Sequence, residues 1–213
     1  MTRVAVIDYG MGNRRSVEKA LEHVGAHAAI TSDHDELRRC DGLVLPGVGA
    51  FPQAMRNLDA LGLPDLIHDL VRRRRPLLGI CLGMQLLFDA SEEMGGAPGL
   101  GLISGEVSRL NAGGLRVPHI GWNEVRFERE CALTAELPPP GCPFYHVHSF
   151  AARPHDPEDV IGTTEYGERF ATVVGRGRVF GVQFHPEKSS RHGLRMLHGF
   201  VGLCTARSSR VAA

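Results

Sequence analysis

At 213 residues, the chain is long enough for one sizeable core, and its 24 Lys and Arg balance 24 Asp and Glu, so net charge favours neither nucleic acid nor an anionic membrane. Charged residues at 23% and apolar ones at 43% are ordinary for a soluble globular protein, and no run approaches the ~20 apolar residues of a membrane span. Five cysteines (Cys40, Cys81, Cys131, Cys142, Cys204), odd in number and without a CxxC pair, argue against a disulfide framework or zinc ribbon and for a reducing compartment.

The opening "MTRVAVIDYG" passes directly into a strand-like pattern without the apolar stretch of a signal peptide, so a cytoplasmic location is expected. "VAVID" (Val4 to Asp8) reads as a buried parallel strand, followed by a helix from Ser16 to Val24 with Gly25 in the stop position. "AHAAIT" and "GLVLP" (Gly42 to Pro46) are the next strands. Leu63, Leu66, Ile67, Leu70 and Val71 recur on one helical face, Pro76 ends that helix, and "PLLGI" supplies another strand. This βαβα rhythm implies a parallel sheet covered by helices on both sides. After about Gly95, short strand candidates follow one another between Gly and Pro turns: "GEVSRL", "NEVRF", "FYHVHSF", "RFATVV" and "VFGVQFHP". A last amphipathic helix is expected from about Ser190 to Leu203, and the tail, 204–213, is expected to fray. One α/β domain, 1–203, is expected.

"LLGICLGMQLLF" (Leu77 to Phe88) places Cys81 between Gly79 and Gly83 where an apolar strand ends and the helical run "MQLLFDA" begins. That is the pattern of a nucleophile elbow with cysteine in place of serine. The sharp turn brings backbone close on either side of its tip, so flanking side chains would collide. A helix N-terminus there favours thiolate, and the amide of Leu82 is expected to point at the developing oxyanion. The bland alternative, a buried structural cysteine, does not explain the glycines. "FHPEKS" offers His185 as a base and Glu187 as its orienting carboxylate, two residues apart and on one side of an extended segment. "LPGVGAF" (Leu45 to Phe51) follows another buried strand, and its exposed amides suit an oxyanion hole.

With these pieces, the sequence resembles the class I glutamine amidotransferases, in which a Cys-His-Glu triad releases ammonia from glutamine. "GICLGMQ" and "HPE" are shared across that family. "DYGMGN" and "PHIGWN" resemble the branch that serves histidine biosynthesis and passes ammonia to a (β/α)8-barrel synthase subunit. The resemblance implies a three-layer α/β fold with a mostly parallel central sheet, helices on both faces and extra strands in the second half. It implies Cys81, His185 and Glu187 as the catalytic set, and an oxyanion hole built from Gly47, Val48, Gly49 and Leu82. Gln85, one helical turn beyond Cys81, is similar to a residue that contacts substrate glutamine, with backbone near Ser149 and Phe150 holding its amino-acid end. Asn13, Trp122, Asn123, Tyr145 and Lys188 match positions facing the barrel partner. Arg14 and His146 depart from the pattern, standing near the expected interface where the family usually has apolar residues. No cofactor and no metal is implied.

Other readings compete. His119, His146, His148 and His185 raise the question of a metal site, but no HxxxH or cysteine pair completes a ligand set. "GMGNRR" lacks the third glycine of a dinucleotide loop, and "RRRR" (Arg72 to Arg75) suits a solvated helix C-terminus better than a nucleic-acid patch. Two functional alternatives stay open: a glutaminase subunit serving vitamin B6, purine or anthranilate synthesis, or a non-enzymatic thiol sensor on the same fold.

Overall fold

The computed structural model describes residues 1–211. In chain order the first half contains β1 (Arg3–Ile7), α1 (Arg14–His23), β2 (His27–Thr31), α2 (His34–Arg39), β3 (Gly42–Leu45), α3 (Phe51–Ala60), α4 (Leu63–Arg72), β4 (Leu77–Ile80) and α5 (Leu82–Gln85). The second half contains β5 (Ala90–Ser91), β6 (Ala97–Pro98), β7 (Gly105–Arg109), β8 (His119–Phe127), β9 (Gly141–His148), β10 (Phe150–Pro154), β11 (Val160–Tyr166), β12 (Glu168–Arg176), β13 (Val179–Val182) and α6 (Ser190–Val211).

The strands join one sheet in the order β2-β1-β3-β4-β13-β12-β10-β7-β5-β6, with β11 pairing β12 and β8, and β8 pairing β9. From β2 to β13 every pairing is parallel; beyond β13 it is mostly antiparallel. Period-two alternation sorts the core into two layers. On β3, Leu43 and Leu45 face the side covered by α3 and α4, whereas Val44 faces the side covered by α1 and α6. Ala54, Leu58, Leu66, Ile67 and Leu70 close the first layer; Val17, Leu21, Leu197 and Phe200 close the second. This is the three-layer α/β architecture expected.

Two helices were not legible from periodicity alone. The six-residue α2 is held by Asp33, whose side chain accepts from the Glu36 amide at 2.8 Å. The second, α3, starts with Pro52 in its first turn. Among "RRRR", Arg72 and Arg73 pair with Asp69 one turn earlier, as suits a helix end. The final helix passes its expected end at Leu203 and continues to Val211, because "CTARSSR" contains no Gly or Pro to stop it. The rest of the tail expected to fray, residues 212–213, lies outside the described residues. Among the described residues no helix is long and apolar enough to cross a membrane.

Candidate active site

Because β1, β3, β4 and β13 are parallel, their carboxyl ends lie on one edge of the sheet, the place where sites form in such folds. Four loops leave that edge: the loop into α1 that ends at Asn13, the Pro46–Gly49 segment, the turn at Cys81, and the turn that carries His185. They converge on a cavity of about 340 Å³ lined by Val48, Cys81, Gln85, Ser149, His185 and Lys188, among others.

Cys81 sits in the turn with φ 56° and ψ −111°, a conformation costly for any residue with a side chain. Its amide donates to the Val182 carbonyl at 2.8 Å, which ties the elbow to β13. The flanking glycines are sterically required. A Cβ on Gly83 would stand 1.7 Å from the Leu45 carbonyl oxygen, and one on Gly79 would stand 2.5 Å from the Gly83 oxygen. The helix after the elbow is shorter than expected, only Leu82–Gln85. Carbonyls of Leu86, Leu87 and Phe88 are taken instead by amides of the Leu100–Ile103 loop, which ends the helix after one turn. Its dipole is correspondingly small.

Nδ1 of His185 lies 2.8 Å from Oε1 of Glu187, whose side chain is fully buried. The imidazole therefore donates from Nδ1 and leaves Nε2 for the Cys81 thiol. The link between them is a 3-10 turn over Pro186–Lys188 and not the extended segment expected, yet the carboxylate still reaches the ring. Burial works against the imidazolium, but hydrogen bonds and charge from Cys81 and Glu187 outweigh it and raise the His185 pKa to about 9. The ring is thus a loaded acid at neutral pH.

One donor departs from expectation. The Leu82 amide is bonded to the Gly47 carbonyl at 3.3 Å, so it does not point freely into the cavity. Tyr9 fixes the preceding peptide, donating to the Pro46 carbonyl at 2.6 Å. Gln85 lines the cavity, with Nε2 donating to Phe150 O and Gln183 Oε1, both at 3.1 Å.

The comparisons with known proteins bear on this geometry. A family profile described as "Glutamine amidotransferase class-I" matches residues 5–202. The chain belongs to that family. It is 54% identical over 200 residues to the imidazole glycerol phosphate synthase subunit HisH of Moorella thermoacetica, covering 94% of each chain. HisH of Bacillus cereus is 49% identical over 210 residues, covering 98% of this chain and 99% of that one. Among solved structures, a glutamine amidotransferase superposes with a TM-score of 0.75 at 22% identity over 95% of this chain and 98% of the other. PurLQS from Thermotoga maritima gives 0.75 at 19% identity, covering 94% and 98%. These two likenesses bear on the fold alone.

Not every residue expected at a partner-facing position of this amidotransferase is exposed. Trp122 is 54% exposed, its ring edge-on to Tyr145 at 6.2 Å between centroids; Ile120 beside it is 59% exposed, and Lys188 is open at the cavity rim. Asn123, one residue from Trp122, projects to the other side of β8 and spends its amide on the Glu165 carbonyl (2.9 Å) and His119 Nε2 (3.3 Å). Asn13 is turned inward, with Nδ2 2.5 Å from Glu187 Oε1. Of the two departures, Arg14 keeps 31% of its side chain exposed, whereas His146 keeps none. Arg14 forms an ion pair with Asp8 in its own loop. His146 is fully buried, bonded through Nδ1 to the Phe144 carbonyl (3.1 Å) and through Nε2 to Thr172 Oγ1 (2.9 Å).

His119, His146 and His148 do come together, but as a packed group of buried, neutral rings, with His119 stacked on His146 and His148 reaching the cavity. His119 Nδ1 lies 3.0 Å from His148 Nε2, and His148 Nδ1 lies 2.9 Å from the Phe150 carbonyl. Burial lowers His119 to about 4 and His148 to about 3, and pushes His146 well below the usual range. Among the described residues no group of three or more His, Cys, Asp or Glu is arranged to hold a metal ion.

Places at this site that the sequence reading did not assign belong to Gln183, His148 and Glu93. Gln183, fully buried, stands 3.9 Å from the Cys81 sulfur and two positions before His185, an alternation that would have flagged it. His148 lines the cavity directly. Glu93 also lines it, accepting from the Phe51 amide at 2.8 Å, and nothing in "SEEMGG" announces that long-range contact.

Proposed function

We propose that this amidotransferase is the glutaminase subunit of an imidazole glycerol phosphate synthase. In this reading it hydrolyses glutamine and passes the ammonia to a (β/α)8-barrel subunit that makes imidazole glycerol phosphate and AICAR in histidine biosynthesis. The observation that carries the chemistry is that Cys81 and His185 line one cavity, with the buried Glu187 carboxylate 2.8 Å from the ring. The identity near 50% to HisH proteins over almost the whole chain supports the choice of partner reaction.

The Cys81 thiolate attacks the carboxamide carbon of glutamine. His185, already protonated, gives its Nε2 proton to the departing ammonia as the C–N bond breaks, leaving a glutamyl thioester. Neutral His185 then takes a proton from water. The hydroxide equivalent adds to the thioester, and glutamate leaves as the thiolate and imidazolium are restored. Glu187 holds the ring in register and stabilises its charge. Gln85 and the Ser149–Phe150 backbone bind the substrate, and the Glu93 carboxylate suits its ammonium group.

Partner control follows from the oxyanion segment. With Gly47 C=O bonded to Leu82 N–H, neither the Leu82 amide nor the Gly47–Val48 peptide presents a free donor to the tetrahedral intermediate. Rotation of that peptide would release Leu82 and turn the Val48 amide inward. Exposed Trp122 and Lys188, with half-buried Tyr145 against the Trp122 ring, form the rim on which the barrel would sit; Asn13 and Asn123 would act there only through neighbours. The test is glutamate production by the chain alone, with a barrel subunit, and with barrel plus ribonucleotide. Negligible activity in the first condition and a rise of roughly two or more powers of ten in the third are expected, about what one oxyanion donor contributes. Equal activity in all three would make the chain an independent hydrolase. Hydrolysis at no condition, with Cys81 still readily oxidised, would favour the thiol-sensor alternative.

A further inference from the structure

Asn13 occupies the N-cap of α1, where asparagine ordinarily turns its side chain back onto the first free amides of the helix. It makes no such bond. The backbone is left-handed, φ 73° and ψ 3°, and the side chain is thrown across to the turn after β13. There Nδ2 stands 2.5 Å from Oε1 of Glu187 and 3.3 Å from Nδ1 of His185, which already donates to the same oxygen. The other carboxylate oxygen, Oε2, is buried and has no hydrogen-bond partner among the described residues. A fully buried carboxylate is thus held by two donors converging on one oxygen, and one of them is Asn13. Each donor to such a group carries a large share of its stabilisation, because water cannot replace it.

We propose that Asn13 is a positioning residue for catalysis: it holds the Glu187 carboxylate in register against His185, and has given up the helix cap to do so. The proposal rests on the Cys81–His185–Glu187 reading above. The titratable and charged groups around the pair are Cys81 beyond the ring, His146 and His148 from β9, and Lys188 at the rim; Arg14, next to Asn13, is turned to Asp8. Burial pushes both β9 histidines toward the neutral form, and the His185 pKa is raised to about 9, so the test is run between pH 5 and 8.

Two substitutions tolerate the left-handed backbone: Asn13→Gly and Asn13→Asp. The experiment measures glutamate release by the full chain with its barrel subunit and ribonucleotide, for wild type and both variants, from pH 5 to 8. Asn13→Gly should lower kcat by roughly ten- to a hundredfold, the worth of one hydrogen bond to a charged group, with KM for glutamine within about twofold. Asn13→Asp should behave differently. Two carboxyls sharing one site hold a proton between them, so at low pH the aspartic acid can donate to Glu187 as asparagine does. As pH rises that proton is lost and the two anions repel. The ratio of Asn13→Asp to wild-type kcat should therefore fall with rising pH, while the Asn13→Gly ratio stays flat. A merely structural role for Asn13 would make both ratios flat, and that result overturns the proposal, as does wild-type kcat in Asn13→Gly. Should Asn13→Gly fail to fold, the slope of the Asn13→Asp ratio decides alone. Cys81→Ser separates the two readings. If it retains hydrolysis, the triad itself is misassigned; if it is inactive while the Asn13 variants are unaffected, only the present inference fails.

Discussion

Gly83→Ala is the most exacting test of the elbow, because the space it removes can be measured. An ideal Cβ at Gly83 lies 1.7 Å from the Leu45 carbonyl oxygen, 2.7 Å from its carbon and 3.4 Å from the Pro46 carbonyl carbon. Reaching ordinary contact requires the turn and β3 to separate by about 1.7 Å, since 3.4 Å is where such contact begins. Neither side can yield cheaply. Leu45 is paired with Gly79 across β3 and β4, and the Cys81 amide is tied to β13. Overpacking of this kind costs ~1–3 kcal/mol, and more where backbone meets backbone. At ~2–4 °C per kcal/mol for a domain of this size, the melting temperature should fall by roughly 5–10 °C. Activity should suffer more than stability, because the displaced atoms carry the nucleophile and the Pro46–Gly49 segment, and a ~1 Å misplacement costs about a hundredfold in rate. Gly202→Ala provides the contrast: its Cβ would meet nothing within 4 Å on a helical surface, so it should stabilise slightly. The assay is thermal unfolding by circular dichroism beside the partner-stimulated glutaminase rate. A Gly83→Ala protein with unchanged melting temperature and full rate would refute the steric account of the Gly-x-Cys-x-Gly pattern.

Cys81→Ser should lose four or more powers of ten in glutaminase rate. An electrophilic glutamine analogue, followed by peptide mass mapping, should label Cys81 and spare Cys142 and Cys204, whose thiols burial pushes up to about 11 and 12. His185→Ala should fall about as far as Cys81→Ser, and Glu187→Gln less far, in the same rate assay; near-normal activity for His185→Ala would mean the base is misassigned. Glutaminase rate should decline as pH rises through about 9, where His185 loses the proton it must give to ammonia. Because that folded pKa lies above the unfolded value, the same ionisation contributes stability that is complete below about 6.5 and lost as pH rises through about 9, which urea titrations at pH 6 and 10 would register. Lys188→Ala, at the cavity rim, should reduce the stimulation by barrel and ribonucleotide more than it weakens glutamine binding, read as kcat against KM.

The parallel half of the sheet was legible because its inner strands β1, β3 and β4 are buried on both faces and appear as short apolar runs, "VAVI", "GLVL" and "LLGI". Cys81 and His185 were legible because local sequence alone decides their setting: two glycines where backbone crosses, and a proline holding a turn. What escaped depends on contacts that no window contains. Glu93 reaches Phe51 across 42 positions, and Asn13 reaches Glu187 across 174. The elbow helix was read too long because "MQLLFDA" is helical by propensity, while its carbonyls are claimed by a loop that follows it. The state of the oxyanion donor was beyond the sequence for a related reason. Which partner the Leu82 amide takes depends on the rotation of one peptide in Pro46–Gly49, and glycine-rich sequence permits both orientations.

The two departures from the family pattern are compensated from within. A histidine where an apolar residue is usual should cost the desolvation of two ring nitrogens unless both find partners. His146 finds them in the Phe144 carbonyl and Thr172, and its ring stacks on His119 at 4.9 Å and meets Phe184 edge-on at 5.5 Å. Kept neutral by burial, it adds no charge behind the imidazolium of His185, where a second cation would drive the ring toward its unprotonated form. Arg14 is handled the same way: its guanidinium pairs with Asp8, whose carboxylate also accepts the Gly10 amide at 3.1 Å. That pair fastens the loop whose next residue back, Asn13, reaches Glu187. His146 therefore acts on the inner side of the site, whereas Arg14, partly exposed, acts on the loop that carries Asn13.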